Sequence, residues 1–230
     1  MATAGDVRPS VEQAATAAVV HRVYVWETPV RLTHWVNVLA ILVLSATGLY
    51  IGAPFLPGGA AVMTWMRAVH RLAAWVFVAS LALRTYWAFA GNRWASWRAL
   101  VPYLHAAGRR EAVEMALYYT FVRRRPPPAV GHNALAGIAY SVVVALMFVE
   151  VATGFALQAL ETPGWRTALF GWLVALLGAP TVRLVHHLGM WLLLGFAIHH
   201  TYSAVLIDIE ERNGLVTSIV SGYKFLHRPP

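Results

Sequence analysis

The sequence predicts an all-α integral membrane protein built as a bundle of four transmembrane helices. Hydrophobic residues make up 59% of its 230 residues and charged residues only 12%, whereas about 25% of the residues in a soluble domain are charged. The hydrophobic residues also come in long runs, and four of these runs reach the roughly 20 residues that cross the hydrocarbon of a bilayer. A single soluble core would not absorb so much apolar surface, so we expect a membrane-spanning chain.

The four predicted spans follow one another along the chain, with a shorter apolar stretch between the last two. The spans cover residues 32–53, 66–90, 133–158 and 184–207. Residues 165–177 are also apolar, but this stretch is too short to cross a bilayer and is bounded by Pro163-Gly164 and Gly178-Ala179-Pro180. We therefore expect a short interfacial helix between the third and fourth spans.

This pattern divides the chain into three parts. Residues 1–22 are expected to form a flexible cytoplasmic tail, because they are rich in Ala and Val and do not follow the pattern of a secretory signal. Residues 23–210 form the four-helix transmembrane domain. Residues 211–230 form a cytoplasmic C-terminal tail.

Arginines indicate which way the spans run. The connection between the second and third spans is rich in arginine, and further Arg and Lys residues flank both termini. Because positive residues collect on the cytoplasmic side, we expect both termini and this connection in the cytoplasm. The net charge of +8 then indicates topology and not nucleic-acid binding. The arginines of the connection are Arg93, Arg98, Arg109, Arg110, Arg123, Arg124 and Arg125.

The absence of cysteine from the sequence restricts the metal chemistry. It excludes disulfides, iron–sulfur clusters held by cysteine, and cysteine–zinc sites. Any redox metal must then be held by histidine or methionine, or belong to another subunit.

Four histidines lie at matching depths of the predicted bundle. His34 begins the first span on the inner side, and His70 begins the second span on the outer side. The fourth span runs inward, so His186 lies on the outer side and His200 on the inner side. Depth therefore pairs His70 with His186, and His34 with His200. His186 and His200 are 14 residues apart, which corresponds to about 21 Å along a helix, with the rings about 40° apart around its axis.

Two imidazole pairs at two depths predict two haems and electron transfer across the bilayer. A pair of neutral imidazoles gives a six-coordinate iron suited to electron transfer, and a histidine inside a span is a functional candidate by default. Any one of these histidines could instead be an interfacial side chain.

The fourth span contains two double histidines, so its ligands must be chosen. Any pair other than His186 with His200 leaves the rings about 120–140° apart around the helix axis. We therefore expect His187 and His199 beside the cofactor or at a polar interface.

Other polar residues lie in or beside the spans. Arg84, near the inner end of the second span, could pair with a haem propionate or extend to the interface. Glu150 in the third span could be protonated, or bonded to His187 or a propionate. His132 and Asn133 could bond a quinone carbonyl and relay a proton, or simply begin the third span, where Asn is a common cap. Arg84 and His187 are thus candidate cofactor-binding residues, and His132 and Asn133 candidate quinone-site residues.

At these residues the chain resembles the b-type cytochrome subunit of membrane-bound nickel–iron hydrogenases, over nearly everything from residue 23 to residue 223. His199 and Glu150 depart from the resemblance, because they stand where apolar or small residues are usual. The matching stretches are Tyr24-Val25-Trp26-Glu27-Thr28-Pro29-Val30-Arg31-Leu32 leading to His34-Trp35, Arg84-Thr85-Tyr86-Trp87-Ala88-Phe89-Ala90-Gly91-Asn92, Val130-Gly131-His132-Asn133, Thr153-Gly154-Phe155-Ala156, His186-His187-Leu188-Gly189-Met190-Trp191 and Ser218-Ile219-Val220-Ser221-Gly222-Tyr223.

The resemblance implies four transmembrane helices that hold two haems b (iron), with ligands at His34, His70, His186 and His200. It also implies that the cytochrome lies in a bacterial cytoplasmic (inner) membrane, anchors hydrogenase small and large subunits on the outer face and passes electrons from hydrogen oxidation to quinone. The chain itself would have no hydrogen-activating centre, since it lacks the cysteines that hold nickel, iron and iron–sulfur clusters. A higher oligomer of the complex is an open alternative.

Other functions fit parts of the pattern. The nearest is the related cytochrome of a formate dehydrogenase or a thiosulfate reductase, which shares the two-haem plan but has another catalytic partner. The Gly131-His132-Asn133 motif favours hydrogenase. A different class is a metal-ion transporter that uses the same histidines, or a membrane anchor without haem.

Overall fold

The computed structural model describes residues 20–127 and 129–226. Most of the predicted tail at 1–22 therefore lies outside the described residues. Within them the elements follow in the order β1 (His21–Tyr24), α1 (Thr28–Gly52), α2 (Gly59–Ala90), α3 (Trp97–Leu100), a 3-10 turn (Pro102–Leu104), α4 (Ala106–Tyr119), α5 (Ala134–Glu161), α6 (Trp165–Leu177), α7 (Ala179–Glu211), α8 (Leu215–Ser221) and β2 (Tyr223–Leu226).

The predicted all-α membrane fold is confirmed. Helices α1, α2, α5 and α7 are long and apolar enough to cross a membrane, and α6 covers the residues predicted for the short helix. Each span extends beyond its predicted range at one or both ends, because hydropathy detects only the apolar part of a helix. Pro29 and Pro180 occupy the first turns of α1 and α7, where a missing N–H costs no hydrogen bond.

The outer surfaces of the spans are apolar and uncovered. Only 17–22% of the residues in the most apolar window of each span are buried within the chain. Leu72, Leu184 and Ile198 are 67%, 66% and 75% exposed. Such surfaces are stable against lipid chains, so this chain is an integral membrane protein.

The four spans pack as two pairs of helices. Helix α1 lies along α2, and α5 lies along α7, while the two pairs touch each other at few places. One of these places is a small apolar core halfway along the bundle. The candidate site lies between the two pairs, on either side of this core. The apolar core is formed by Ala40, Phe77 and Leu81 with Ile41, Leu44, Met147 and Val151 against them.

Both described ends of the chain lie at one end of the bundle, which we call the terminal end; the opposite end, with residues 53–58 and 162–178, is the far end. At the terminal end β1 pairs with β2 antiparallel, with His21 opposite Leu226 and Tyr24 opposite Tyr223. The sequence did not predict this sheet, because its strands are about 200 residues apart. β1 also crosses the boundary drawn between residues 22 and 23.

The connection at residues 91–133 is partly helical, which the sequence did not predict. Helix α4 runs through its middle and packs against α5. The carboxylate of Glu111 on α4 accepts a hydrogen bond from the backbone N–H of Ala134 at 3.0 Å. This bond satisfies one of the free N–H groups at the start of α5, so the connection helps to fix the third span.

Candidate haem-binding sites

The structure brings four of the histidines together in two facing pairs. His34 on α1 faces His200 on α7, with ring centroids 6.3 Å apart; we call them the terminal-end pair. His70 on α2 faces His186 on α7, with ring centroids 6.4 Å apart; we call them the far-end pair. Each pair therefore joins one helix of α1 and α2 to α7, across the separation between the two helix pairs.

These separations fit one metal ion between the two rings of each pair. An imidazole nitrogen binds a transition-metal ion at about 2.0 Å and its ring centroid lies about 1.1 Å further away, so two rings on opposite sides of one ion have centroids about 6.2 Å apart. The observed 6.3 Å and 6.4 Å lie close to this distance. Each histidine pair would thus be able to hold the iron of a haem, which would supply a one-electron carrier.

Threonine hydroxyls orient the far-end pair. Thr47 donates its only hydrogen to the carbonyl of Val43 at 2.7 Å, so toward Nδ1 of His70, 2.9 Å away, its oxygen can only accept. Thr153 likewise donates to Val149 at 2.7 Å and lies 2.9 Å from Nδ1 of His186. Both Nδ1 atoms must then carry the hydrogen.

The Nε2 atoms of the far-end pair are therefore the ones with a free electron pair. A metal-ligating histidine commonly donates its other ring N–H to a neighbouring oxygen, which fixes the ring and makes it a better ligand. The threonines supply that oxygen here. The residues present thus fit haem at the far-end pair.

The two threonines belong to a repeated tripeptide, Ala46-Thr47-Gly48 and Ala152-Thr153-Gly154. The glycines lie against the same rings as the threonines. A Cβ on Gly48 would lie 3.4 Å from Cε1 of His70, and one on Gly154 would lie 3.3 Å from Cε1 of His186. Two helix pairs thus present the same unit to the far-end pair, a hydroxyl for Nδ1 and a glycine beside the ring.

The terminal-end pair has different neighbours. Nδ1 of His200 lies 3.1 Å from the hydroxyl of Tyr140, and the ring of Phe196 stacks on the His200 ring at 5.5 Å. The buried Nδ1 of His34 has no hydrogen-bond partner among the described residues. Tyr140 therefore takes the place at this pair that the threonines occupy at the far-end pair.

Arg84 lies toward the terminal end of α2. Its Nη2 donates to the carbonyl of Ala95 at 3.2 Å, while its buried Nη1 has no partner among the described residues. A buried cationic N–H costs free energy unless it meets an acceptor. A haem propionate is an anionic acceptor of this kind, so Arg84 fits the cofactor-binding role, which stays a prediction.

His132 lies between two aromatic rings at the terminal end. Its ring centroid is 4.6 Å from that of Trp26 and 4.4 Å from that of Tyr140. Burial, followed by the nearby charges of Arg84 and Lys224, lowers the pKa of His132 to about 3. The imidazole is therefore neutral at physiological pH and can donate or accept a hydrogen bond.

Asn133 caps α5. Its side-chain oxygen accepts a hydrogen bond from the backbone N–H of Ala136 at 2.8 Å, as an N-cap residue does. This is one of the two roles that the sequence allowed. Its role at a quinone site stays a prediction.

The remaining two histidines of α7 lie outside the facing pairs. Nδ1 of His187 lies 2.9 Å from the carbonyl of Arg183 on its own helix, and a Cβ on Gly52 would lie 2.8 Å from its Nε2. His187 thus packs against the end of α1. His199 is exposed, and its Nε2 lies 3.4 Å from the hydroxyl of Ser203.

Glu150 lies against His186 and not against His187. Its Oε2 lies 3.0 Å from Nδ1 of His186, which Thr153 also contacts. The sequence suggested a bond to His187 or a propionate, because periodicity alone did not decide which ring of the double histidine faces α5.

Several stretches that carry the resemblance pack together at the terminal end. Oε2 of Glu27 accepts hydrogen bonds from Nε1 of Trp87 at 2.9 Å and from the backbone N–H of Asn92 at 2.7 Å. Nδ2 of Asn92 donates to the carbonyl of Val25 at 3.0 Å. The start of α1 is thereby fixed to the end of α2.

The C-terminal stretch closes the same assembly. The carbonyl of Gly222 accepts hydrogen bonds from Val25 at 2.8 Å and Trp26 at 3.1 Å, and Nε1 of Trp26 donates to the hydroxyl of Ser218 at 3.0 Å. Gly222 has φ of 89°, and a Cβ there would lie 2.6 Å from the Tyr24 ring, so glycine is required. These contacts position the first turns of α1, which carry His34.

Sequence reasoning missed Thr47, Tyr140 and the contact of Thr153 with His186. The signal for the threonines was present as the repeated Ala-Thr-Gly in two spans. No comparable signal marked Tyr140, since an aromatic residue in a span is common. Their hydrogen bonds depend on how neighbouring helices are rotated, which the sequence does not give.

A polytopic helical bundle with two facing imidazole pairs across its interior has the architecture of a membrane cytochrome. A family model described as prokaryotic cytochrome b561 matches residues 25–222. This chain belongs to that family, whose cofactor is b-type haem.

Similar proteins carry a more particular description. The chain is 41% identical over 210 residues to a protein of Cupriavidus necator (87% of this chain, 86% of the relative). It is 41% identical over 212 residues to one of Azotobacter vinelandii (88% of each). Both are described as probable Ni/Fe-hydrogenase B-type cytochrome subunits. A protein of Escherichia coli (strain K12), 33% identical over 211 residues (87% of this chain, 90% of the relative), is described as the probable Ni/Fe-hydrogenase 1 B-type cytochrome subunit. The resemblance noted in the sequence is thereby confirmed.

Proposed function

We propose that this chain is a diheme cytochrome b that anchors a nickel–iron hydrogenase in the membrane and carries electrons from hydrogen oxidation to the quinone pool. The proposal rests on one observation: two pairs of imidazoles face each other at two depths of the bundle. Within each pair the ring centroids are 6.3 Å or 6.4 Å apart. One haem would be held by His34 and His200, and the other by His70 and His186. When bound, each would supply a one-electron carrier.

The orientation of the chain follows from its charges. The terminal end carries the arginine-rich connection, so we place it and both termini in the cytoplasm. The far-end pair then lies near the outer face of a bacterial inner membrane. Helix α7 separates His186 from His200 by about 21 Å, which lets one chain hold carriers near both faces.

The partner is inferred from the relatives. Their description as Ni/Fe-hydrogenase cytochrome subunits supports a hydrogenase small and large subunit pair, which we place on the outer face. Because this chain has no cysteine, a hydrogen-activating nickel–iron centre and its iron–sulfur clusters must lie in that partner.

The quinone site belongs at the terminal end in this proposal. His132 lies beside Tyr140, whose hydroxyl contacts His200. A neutral imidazole there can bond a quinone oxygen and relay a proton. Asn133 is the second candidate, although its oxygen already caps α5.

A haem assay on two matched variants tests the haem assignment. The complex is purified with its partner subunits, and haem b per chain is measured by the pyridine haemochrome method. Two haems are expected in the wild type, one in His200→Ala, and two in His199→Ala, because His199 is the exposed neighbour on the same helix. No haem in the wild type overturns the proposal in favour of a haem-free anchor or a metal-ion transporter.

Two activities separate the haem site from the partner. In His200→Ala, quinone reduction by hydrogen should be lost, whereas hydrogen oxidation with an added dye should continue in the partner. Quinone reduction that survives would show that the terminal-end pair is not on the path. Co-purification of formate dehydrogenase or thiosulfate reductase subunits, and not of hydrogenase subunits, would refute the proposed partner.

The quinone-site residues have their own test. His132→Phe should keep both haems and lose quinone reduction. Asn133→Ser retains a good N-cap but removes the amide, so unchanged quinone reduction would limit Asn133 to its capping role. Normal quinone reduction in His132→Phe would exclude His132.

A further inference from the structure

The side chain of Glu150 makes an unusual contact with one ligand of the far-end pair. Its Oε2 lies 3.0 Å from Nδ1 of His186, and the carboxyl side chain is 12% exposed. Its other oxygen, Oε1, is buried and has no hydrogen-bond partner among the described residues. The carboxyl group is therefore directed at a ligand ring.

The fold makes room for this carboxyl group. A Cβ on Gly189 would lie 1.8 Å from Oε1 of Glu150, a separation that no side chain can occupy. Gly189 lies on α7 one turn beyond His186, so α7 has a glycine where Glu150 approaches it. The position of the carboxyl group thus depends on residues of two spans.

The contact makes the two ligands of the far-end pair unequal. Nδ1 of His70 meets the hydroxyl of Thr47, whereas Nδ1 of His186 meets both the hydroxyl of Thr153 and the carboxyl group of Glu150. Because the Thr153 hydroxyl donates to a carbonyl, it accepts the N–H of His186, and the carboxyl group of Glu150 lies 3.0 Å from the same nitrogen as a second oxygen.

A carboxylate on the second ring nitrogen changes what an imidazole does as a ligand. Its negative charge stabilises positive charge on the imidazole, which makes Nε2 a stronger electron donor. It also places a negative charge near the metal in a medium of low dielectric constant, where charge interactions are strong. Both effects favour the oxidised, more positive iron over the reduced iron.

We propose that Glu150 is a positioning residue that fixes the His186 ring and lowers the reduction potential of the haem at the far-end pair relative to the haem at the terminal-end pair. The inference rests on the proposed function, because it requires haem at both pairs. A lower potential at the far end favours electron transfer toward the terminal end, which is the direction that quinone reduction in the cytoplasmic half requires.

Redox potentiometry on the purified complex tests this inference. Glu150→Gln keeps the size of the side chain and an acceptor oxygen but removes the charge. The optical haem band should show two one-electron waves, and the variant His200→Ala, which keeps only the far-end pair, assigns one of them. In Glu150→Gln the midpoint potential of the far-end wave should rise by at least about 59 mV, which for one electron corresponds to a tenfold change in the ferric-to-ferrous ratio. The terminal-end wave should stay in place.

The matched control is Glu161→Gln. Glu161 is a carboxylate on the same helix, about 16 Å further along it, and it pairs with Arg67 at the surface at 2.8 Å. Its removal should leave both waves unchanged. Equal upward shifts of both waves in Glu150→Gln, or no shift of the far-end wave, would overturn the inference.

Haem content separates this inference from the proposed function. A wild-type complex without haem contradicts the proposed function itself, whereas two haems with unmoved potentials contradict only the role of Glu150. If Glu150→Gln loses the far-end haem, Glu150→Asp is measured, since it keeps the charge. A far-end potential below the terminal-end one in Glu150→Asp supports the inference, and a potential equal to or above it overturns the inference.

Discussion

The hydroxyl oxygen of Thr47 lies 2.9 Å from Nδ1 of His70, across the contact between α1 and α2. Because that hydroxyl donates its hydrogen to Val43, it must accept from the ring, which leaves Nε2 free for a metal. Thr153 and His186 repeat the same relationship between α5 and α7. Both helix pairs, α1 with α2 and α5 with α7, therefore leave the Nε2 atom of a far-end histidine free to bind a metal ion.

Replacing Thr47 with Val should weaken haem binding at the far-end pair. The substitution keeps the shape of the side chain but leaves the Nδ1–H of His70 without this acceptor, and loss of such a partner lowers metal affinity by about 10–100-fold. Haem retained per chain after dilution or competition with apomyoglobin measures the effect. Thr64→Val is the control, because Thr64 is an exposed residue of α2 that bonds only Ala60 among the described residues. Equal haem retention in both variants would contradict the prediction.

Substitution of Gly154 should disturb the far-end haem site, with a smaller effect for alanine than for valine. A Cβ there would lie 3.3 Å from Cε1 of His186, so Gly154→Ala should move the ring slightly and change the optical spectrum of the far-end haem. Gly154→Val should reduce haem content from two to one per chain. Gly195→Ala on α7 meets nothing within 4 Å and should keep both haems. The prediction fails if Gly154→Val binds two haems with normal spectra.

Arg84→Gln should lower the reduction potential of the terminal-end haem. If a haem is held there as proposed, a buried guanidinium beside it would stabilise the reduced, less positive iron, and removal of the guanidinium would favour the oxidised form. Redox titration of the purified complex should show a downward shift in the terminal-end wave alone. Arg98→Gln, at an exposed guanidinium over the ring of Trp97, should shift neither wave. An unmoved terminal-end wave in Arg84→Gln would remove Arg84 from the cofactor site.

Glu27→Gln should destabilise the fold, although it changes none of the proposed haem ligands. Glu27 accepts hydrogen bonds from Trp87 and the backbone of Asn92, and weakening charged hydrogen bonds of this kind costs about 1–3 kcal/mol. Unfolding in mixed detergent micelles measures the change in free energy. Glu161→Gln removes an exposed ion pair and should cost less than about 1 kcal/mol. Equal losses in the two variants would show that Glu27 does not brace the terminal end.

Much of the fold follows from local pattern. The four spans and the short helix α6 were predicted from the length and composition of apolar runs, because a bilayer requires both. The β1–β2 sheet and helix α4 were not predicted, since the pairing of Tyr24 with Tyr223 joins distant segments, and α4 is neither long nor strongly apolar.

The candidate site, like the fold, could be predicted only in part from the sequence. The depth of each histidine follows from its position in a span together with the arginine pattern, so the sequence could propose the pairs of His34 with His200 and of His70 with His186. The structure brings these residues face to face, and their role as haem ligands stays a prediction. The contact between Glu150 and His186 was not foreseen, because it depends on the rotation of α5 against α7.

The sequence by itself determined that this chain crosses a membrane four times and has histidines at two depths, because hydropathy and helical rise are properties of single segments. Only the tertiary structure decided which atoms meet: the hydroxyls of Thr47 and Thr153 at Nδ1, the separation of the imidazole rings, and the carboxyl group of Glu150 at His186. The reason is physical, since contacts within a bundle are set by the rotation and spacing of neighbouring helices, and these are fixed by packing between residues far apart in the chain.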